Sequence, residues 1–428
     1  MNPLGIPIGL FCLAGAIRFL AWGLLGPHPE PFEYESLALN LLSGLGYQRS
    51  LYGTVHLAQA PPLYAFVCAA FYAIFGHDPR VIILFQILVS SLIPVVLYFL
   101  ARYFGLSRKG RIAAALLATL HPGLIVYAVK KLHPLNLDAL LICLTCWALL
   151  RLKENPSTRV GWAAGGLLGL TILTRPTIGL FGIVAAGWLL SGNRRGIRKR
   201  TDWVPAALYL VAAAVVVAPW LVRNWLHFHR FIFITTDTAE LLWRGNNPQA
   251  TGTAYLRNGL PLLEGAPQSF REAILHADEM GQYGLFLSEA FRFITGHPFA
   301  WILLWGRKWL SFWWFTATAG LLYPSGWMAL YRAFYAGLLT LSLLGLRRAF
   351  ASLPQEQRRG LFLLLLLLLS VSVAQSLFYV ELRHRWGIEP LLGILAAWGI
   401  VSLRGVPAAI KEGGHPGEVQ EDRRPMPN

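Results

Sequence analysis

The sequence predicts an all-α polytopic membrane protein with about ten transmembrane helices, plus outer-face juxtamembrane helices and a small outer segment. Three observations carry that prediction. Hydrophobic residues make up 55% of the 428 positions and charged residues only 14%, against about 25% charged in a soluble domain. Long apolar runs recur along most of the chain, where a β-barrel would show short alternating segments. Basic residues collect in short loops between the runs, so the net charge of +16 reads as retention of positive loops in the cytoplasm. The same composition excludes an ordinary soluble enzyme and a disordered chain, and it leaves no reason to invoke nucleic acid.

Taken in order, Leu4 to Leu25 is the first span, retained because no small-residue cleavage site follows it. A polar segment runs from Pro27 to about His56, within which Phe32 to Leu42 has the spacing of an interfacial helix. Pro62–Phe75 is apolar but short. Arg102, Arg108, Lys109 and Arg111 lie between the runs Val81–Phe104 and Ala113–Tyr127 and belong in the cytoplasm. Val81–Phe104 is therefore the second crossing, and Pro62–Phe75 stays on the outer side.

Ala113–Tyr127 then crosses outward and Leu135–Leu152 returns to Arg151, Lys153 and Arg159. Gly161–Leu173 and Thr177–Leu190 form a hairpin about Arg175-Pro176, returning to the basic cluster Arg194 to Arg200. Trp203–Val222 crosses out again. In Phe299–Phe315 the pair Arg307-Lys308 is too costly for mid-bilayer, so this stretch reads as an interfacial helix. Trp327–Leu346, Leu361–Val380 and Ile388–Ser402 complete the set.

The organisation expected is an N-terminal transmembrane catalytic module over 1–222, with its first outer loop at 27–80, then an outer segment over 223–325. C-terminal helices follow over 326–404, and a polar tail over 405–428 ends the chain in the cytoplasm. Both termini are then inside a multi-pass protein of the cell (inner) membrane. Cys12, Cys68, Cys143 and Cys146 all lie within apolar runs and read as small packers rather than metal or redox groups.

This topology gathers the unusual polar residues on the outer side. Glu30, Glu33, Glu35, Arg49 and His56 fall in the first outer loop, and Lys130, Lys131, His133 and Asp138 in the next. Arg244, Asn246 and Asn247 lie in the outer segment; Arg383, Arg385 and Glu389 surround the last outer turn. A coupled transporter needs ionisable groups near mid-bilayer, and acids there are nearly absent. Carboxylates facing Arg and Lys at an interface suit a phosphate-bearing lipid instead, because arginine grips phosphate with paired hydrogen bonds.

At these residues the chain resembles a family. Glu30-Pro-Phe-Glu33-Tyr34, with Ala38 and Gly44-Leu-Gly46-Tyr47 further on, is similar to the first outer loop of bacterial protein O-mannosyltransferase and aminoarabinose-transferase family proteins. These are membrane glycosyltransferases of the C superfamily. Ala60-Pro61-Pro62-Leu63-Tyr64, Leu173-Thr-Arg175-Pro176, Pro219-Trp220-Leu-Val-Arg223-Asn224, Gly245-Asn246-Asn247-Pro248 and Arg383-His-Arg385 before Glu389-Pro390 continue the pattern in order.

The resemblance implies inverting transfer of a hexose or pentose from a polyprenyl-phosphate donor to a lipid, glycan or protein acceptor at the outer (periplasmic) face. The family's catalytic base, an Asp, corresponds to Glu30 counted back from Tyr34, with Glu33 as the alternate. Arg383, Arg385, Lys130 and Lys131 are the candidate donor-phosphate groups. His56, Asp138, Arg244, Asn246, Asn247 and Glu389 are the candidate substrate contacts. Where the family often has a second acid, this chain has His133-Pro134, so no metal site is assigned and no cofactor beyond the donor is expected. Asn246 and Asn247 equally suit a turn, and Arg383 and Arg385 equally suit headgroup anchoring. The competing class is a polyprenyl-lipid or glycolipid flippase, for which the sequence offers no polar path. A membrane scaffold would not need acids opposite basic loops.

Overall fold

The computed structural model describes residues 4–26, 28–191, 203–321 and 323–403. The basic cluster 194–200 and the tail 405–428 lie outside them. The helices are α1 (Gly5–Leu25), α2 (Glu33–Leu42), α3 (Pro62–Phe75), α4 (Pro79–Leu100), α5 (Arg108–Thr119), α6 (Pro122–Val129), α7 (Leu135–Glu154), α8 (Thr158–Ile172), α9 (Gly179–Leu190) and α10 (Val204–Phe228). They continue with α11 (Asp237–Gly245), α12 (Gln268–His276), α13 (Glu279–Gly296), α14 (Pro298–Trp313), α15 (Ser325–Ser352), α16 (Gln355–Ser376), α17 (Arg383–Trp386) and α18 (Glu389–Leu403). A hairpin of β1 (Arg49–Leu51) and β2 (Thr54–His56) pairs Ser50 with Val55.

Six helices are long and apolar enough to cross a membrane: α1, α4 with its terminal turn, α7, α10, α15 and α16. The expected span Ala113–Tyr127 is a bent pair instead, α5 and α6 meeting at 49°. The break falls at His121-Pro122, where proline lacks the N–H that a continuous helix needs. The remaining three expected spans, α8, α9 and α18, are shorter helices of 15, 12 and 15 residues. The three stretches read as interfacial all fold as helices: α2, α3 and α14.

Hydrogen bonds between helix ends define the two ends of the bundle. At one, Lys153 Nζ reaches carbonyls at the end of α9, Trp188 Nε1 donates to Arg359 O and Trp398 Nε1 to Phe104 O. At the other, Lys130 Nζ reaches Leu25 O, Arg175 joins the starts of α7 and α17, and Tyr127 bonds Tyr323 at 2.9 Å. Both long segments between spans, 28–61 and 229–321, are at this second end, so the polar residues collected from the sequence share one end of the bundle.

Close helix contacts rest on glycine, since backbones approach most tightly where no Cβ intervenes. A Cβ at Gly165 would stand 2.1 Å from Tyr209 O across α8–α10, and one at Gly345 would stand 1.8 Å from Leu395 O across α15–α18. The charge inside α1 is met by hydrogen bonds. Arg18, fully buried in α1, donates to Ser90 Oγ at 2.6 Å and to Thr119 O at the α5–α6 break.

Candidate active site

The first loop places Glu30 against the segment that leaves α6. Glu30 N donates to Lys130 O at 2.7 Å and Leu132 N to Glu30 O at 3.1 Å, an isolated parallel bridge. Successive side chains of an extended segment point to opposite sides. Lys131 Nζ consequently pairs with the Glu30 carboxylate, while Lys130 Nζ turns away to the carbonyls of Leu25 and His28. The side chain of Glu30 is 52% exposed, open to a substrate. Lys130 therefore leaves the donor-binding set, its Nζ committed to backbone.

A buried amide of α4 shapes this turn. Gln86 Nε2 donates to Tyr127 O, Ala128 O and Lys131 O at 3.0–3.2 Å, and its Oε1 accepts from His133 N at 3.1 Å and Tyr64 OH at 2.5 Å. Gln86 thus holds Lys131 and His133 in register with the first loop. His133 is ringed by Phe32, Tyr34 and Tyr127. Burial, then Arg383, Arg175 and Lys131, hold its pKa well below the usual histidine range, so the ring is neutral. Burial and Arg383 also lower Lys131.

Arg383 stands behind these groups, 3.1 Å from Glu381 and 3.3 Å from Tyr379 OH. Burial opposes its charge, but Glu381 and Tyr379 hold its pKa above the ordinary arginine value. Arg385 is only two residues on, which is about 200° around a helix, and it faces the protein interior. Its Nε meets Glu389 Oε1 at 2.6 Å, its Nη1 donates to Phe312 O at 3.0 Å, and its guanidinium lies 3.8 Å from the centre of the Tyr335 ring. Glu389 also accepts from Tyr331 OH at 2.6 Å and lies 2.6 Å from His121 Nε2. Arg385 and Glu389 are each 1% exposed. Neither is accessible, and both leave the substrate set for a buried network joining α6, α14, α15, α17 and α18.

The remaining candidates divide. Asp138, in the first turn of α7, lies 3.5 Å from Arg175, whose Nη1 donates to His384 O at 2.7 Å; the pair clamps the hairpin tip to α17. Asn246 gives its Nδ2 to Leu242 O and Leu377 O and receives Trp301 Nε1 and Lys308 Nζ on Oδ1. Asn247 closes a turn, Nδ2 to Trp243 O and Oδ1 from Gln249 N. With these amides committed, both asparagines are shaping residues rather than sugar contacts. Lys308 also bonds Gly245 O at 2.9 Å, and burial brings its pKa down to about 7. This accounts for a lysine in an apolar helix: it ties α14 to the end of α11.

Arg244 pairs with Glu240, which also accepts Tyr52 OH at 2.6 Å. His56 is buried, 3.9 Å from Glu279, with Nε2 unpartnered. The charge of Glu33 acts on Tyr47 and Asp237, and its carboxylate has no hydrogen-bond partner among the described residues. Asp237, at the start of α11, escaped the sequence reading because an acid in a first helical turn is ordinary. Burial, then Glu240, raises its pKa to about 8. The Trp220–Asn224 motif supports it: Trp220 Nε1 and Asn224 Nδ2 both donate to Ile234 O, holding a β-branched residue at φ 63. Such a conformation needs outside support.

Among the described residues, no three of His, Cys, Asp and Glu come together in a way that would hold a metal ion. Cys143 and Cys146 are buried free thiols packed in α7.

The fold is that of an all-α polytopic membrane protein. Residues 59–222 match the family model described as dolichyl-phosphate-mannose-protein mannosyltransferase. No curated protein matches in a sequence search. Among solved structures, the Archaeoglobus fulgidus oligosaccharyltransferase in its apo form aligns at a TM-score of 0.57 and 12% identity. The alignment covers 94% of this chain and 51% of that one, so this chain spans about half its length. The archaeal oligosaccharyltransferase AglB from the same organism, with an inhibitory peptide and a dolichol-phosphate, aligns at 0.52 and 12% over 93% and 50%. ArnT from Cupriavidus metallidurans, bound to undecaprenyl phosphate, aligns at 0.45 and 16% over 92% and 78%.

Proposed function

We propose that this protein moves a sugar from a polyprenyl-phosphate donor to an acceptor at the outer face of the cell membrane, with inversion at the sugar carbon. The observation that carries the reading is the pairing of the accessible Glu30 carboxylate with Lys131, with Arg383 close behind. Such a transfer needs a base for the acceptor proton and cations for the leaving phosphate, and Glu30, Lys131 and Arg383 would supply them. Glu30 takes the acceptor proton as the acceptor oxygen attacks the sugar carbon, and the bond to the phosphate breaks on the opposite side. Lys131 and Arg383 stabilise the charge gathering on that phosphate. The neutral His133 contributes an uncharged wall.

The direct test is purified protein assayed with a panel of radiolabelled polyprenyl-phosphate sugars. Product is expected with at least one donor. Lys131→Gln with Arg383→Gln is expected to weaken apparent donor affinity by about tenfold or more, since two charge-assisted contacts are removed. Unchanged affinity in that double variant would sink the donor site.

The orientation is tested separately. In a background lacking Cys12, Cys68, Cys143 and Cys146, single cysteines at Ser50, His77 and Lys131 should react with a membrane-impermeant thiol reagent. One at Ser107, inside the basic stretch before α5, should not. Labelling at Ser107 from outside would reverse the topology.

A further inference from the structure

Against the segment 248–258, two cavities of about 840 and 540 Å³ adjoin and share Thr316 and Ala317 as lining residues. The larger is rimmed by Arg257 and Arg307; the smaller is walled by Trp314, Phe315 and the alanines of α15, with Arg332 at its edge. None of these three arginines has an ion-pair partner among the described residues. Arg332 is the telling one. It is exposed two turns into α15, a helix apolar enough to span a membrane, and its guanidinium lies over the Phe315 ring at 5.5 Å. An arginine there is costly unless an anion meets it. Thr316, at the junction of the two cavities, has a hydroxyl with no hydrogen-bond partner.

Positive at one end and aromatic along the other, the groove has the layout of an anionic lipid: a phosphate for the guanidinium groups and a chain for the apolar wall. We infer that this groove binds an anionic phospholipid other than the glycosyl donor. That it is a second lipid rests on the donor lying at Lys131 and Arg383. Neither Lys131 nor Arg383 lines either cavity.

The experiment is native mass spectrometry of the intact protein, titrated in turn with phosphatidylglycerol, phosphatidylcholine and a polyprenyl phosphate. Wild-type protein should retain one phosphatidylglycerol in preference to phosphatidylcholine, and saturating polyprenyl phosphate should leave it bound. Arg257→Gln with Arg307→Gln and Arg332→Gln should weaken phosphatidylglycerol roughly tenfold or more while polyprenyl phosphate binds as before. The three Lys replacements should restore part of the loss. Equal retention of phosphatidylcholine would mean that the arginines only reach for headgroups at large, and overturns the site. So would wild-type phosphatidylglycerol affinity in the triple Gln variant. Displacement of phosphatidylglycerol by polyprenyl phosphate would make the groove the donor's own and overturns a second lipid. Failure of the donor reading is read separately, from polyprenyl-phosphate affinity in the Lys131 and Arg383 variants.

Discussion

Replacing Glu30 with Gln is expected to lower the rate of sugar transfer by about 10²–10⁴-fold, the usual worth of a positioned base, and to leave folding and membrane insertion intact. The substitution keeps the shape of the side chain and removes its ability to take a proton. Its structural cost is small. The carboxylate is half exposed and its ion pair with Lys131 belongs to the class worth about 0–1 kcal/mol. Glu33→Gln is the companion measurement, because Glu33 opens α2 three residues after Glu30 and its charge acts on Tyr47 and Asp237. Loss of transfer only in Glu33→Gln, with Glu30→Gln turning over normally, would move the base to Glu33.

The second large effect concerns stability. Arg385→Ala is expected to destabilise the protein by about 3–5 kcal/mol, the cost of leaving one partner of a buried ion pair unpaired. Glu389 would remain 1% exposed with only His121 and Tyr331 to meet it. Removing both charges is a milder change, because paired charges gain little over an apolar pair of similar size. Arg385→Met with Glu389→Leu should therefore recover a large part of the loss. Reversible denaturant unfolding in detergent measures both variants. A single variant as stable as wild type would show that the network is not under the constraint its burial implies. The same measurement separates the two arginines of the turn: Arg383→Ala should act mainly on donor affinity, Arg385→Ala mainly on unfolding.

Much of the architecture was legible beforehand because membrane insertion is governed by local quantities. The length of an apolar run, the charge of the loops and a mid-helix pair such as Arg307-Lys308 act within a few residues of each other, so a linear chain displays them. The all-α class and the helices α1, α2, α3 and α14 followed from them. The bend at His121-Pro122 was also available locally, since proline cannot donate to the preceding turn, although a single span had been expected across it.

The site was legible only in outline. Sequence placed Glu30, Lys131 and Arg383 among the polar residues of one side, but not which neighbours of each would turn away. Lys130 differs from Lys131 by the alternation of an extended segment, and Arg385 from Arg383 by the pitch of a helix. Both facts are periodic and predictable, but only once the local element is known. What tertiary structure alone decided is the partnering across long separations: Gln86 with the turn at 127–133, Arg175 with Asp138 and His384, and Lys308 with Gly245 and Asn246. The reason is energetic. A buried polar group is tolerated only with a partner, and nothing in the linear order says which partner the packing will bring. Composition and spacing therefore determined the class of protein and the end of the bundle where its polar residues collect. Packing decided which charges hold the bundle together and which remain accessible to a substrate.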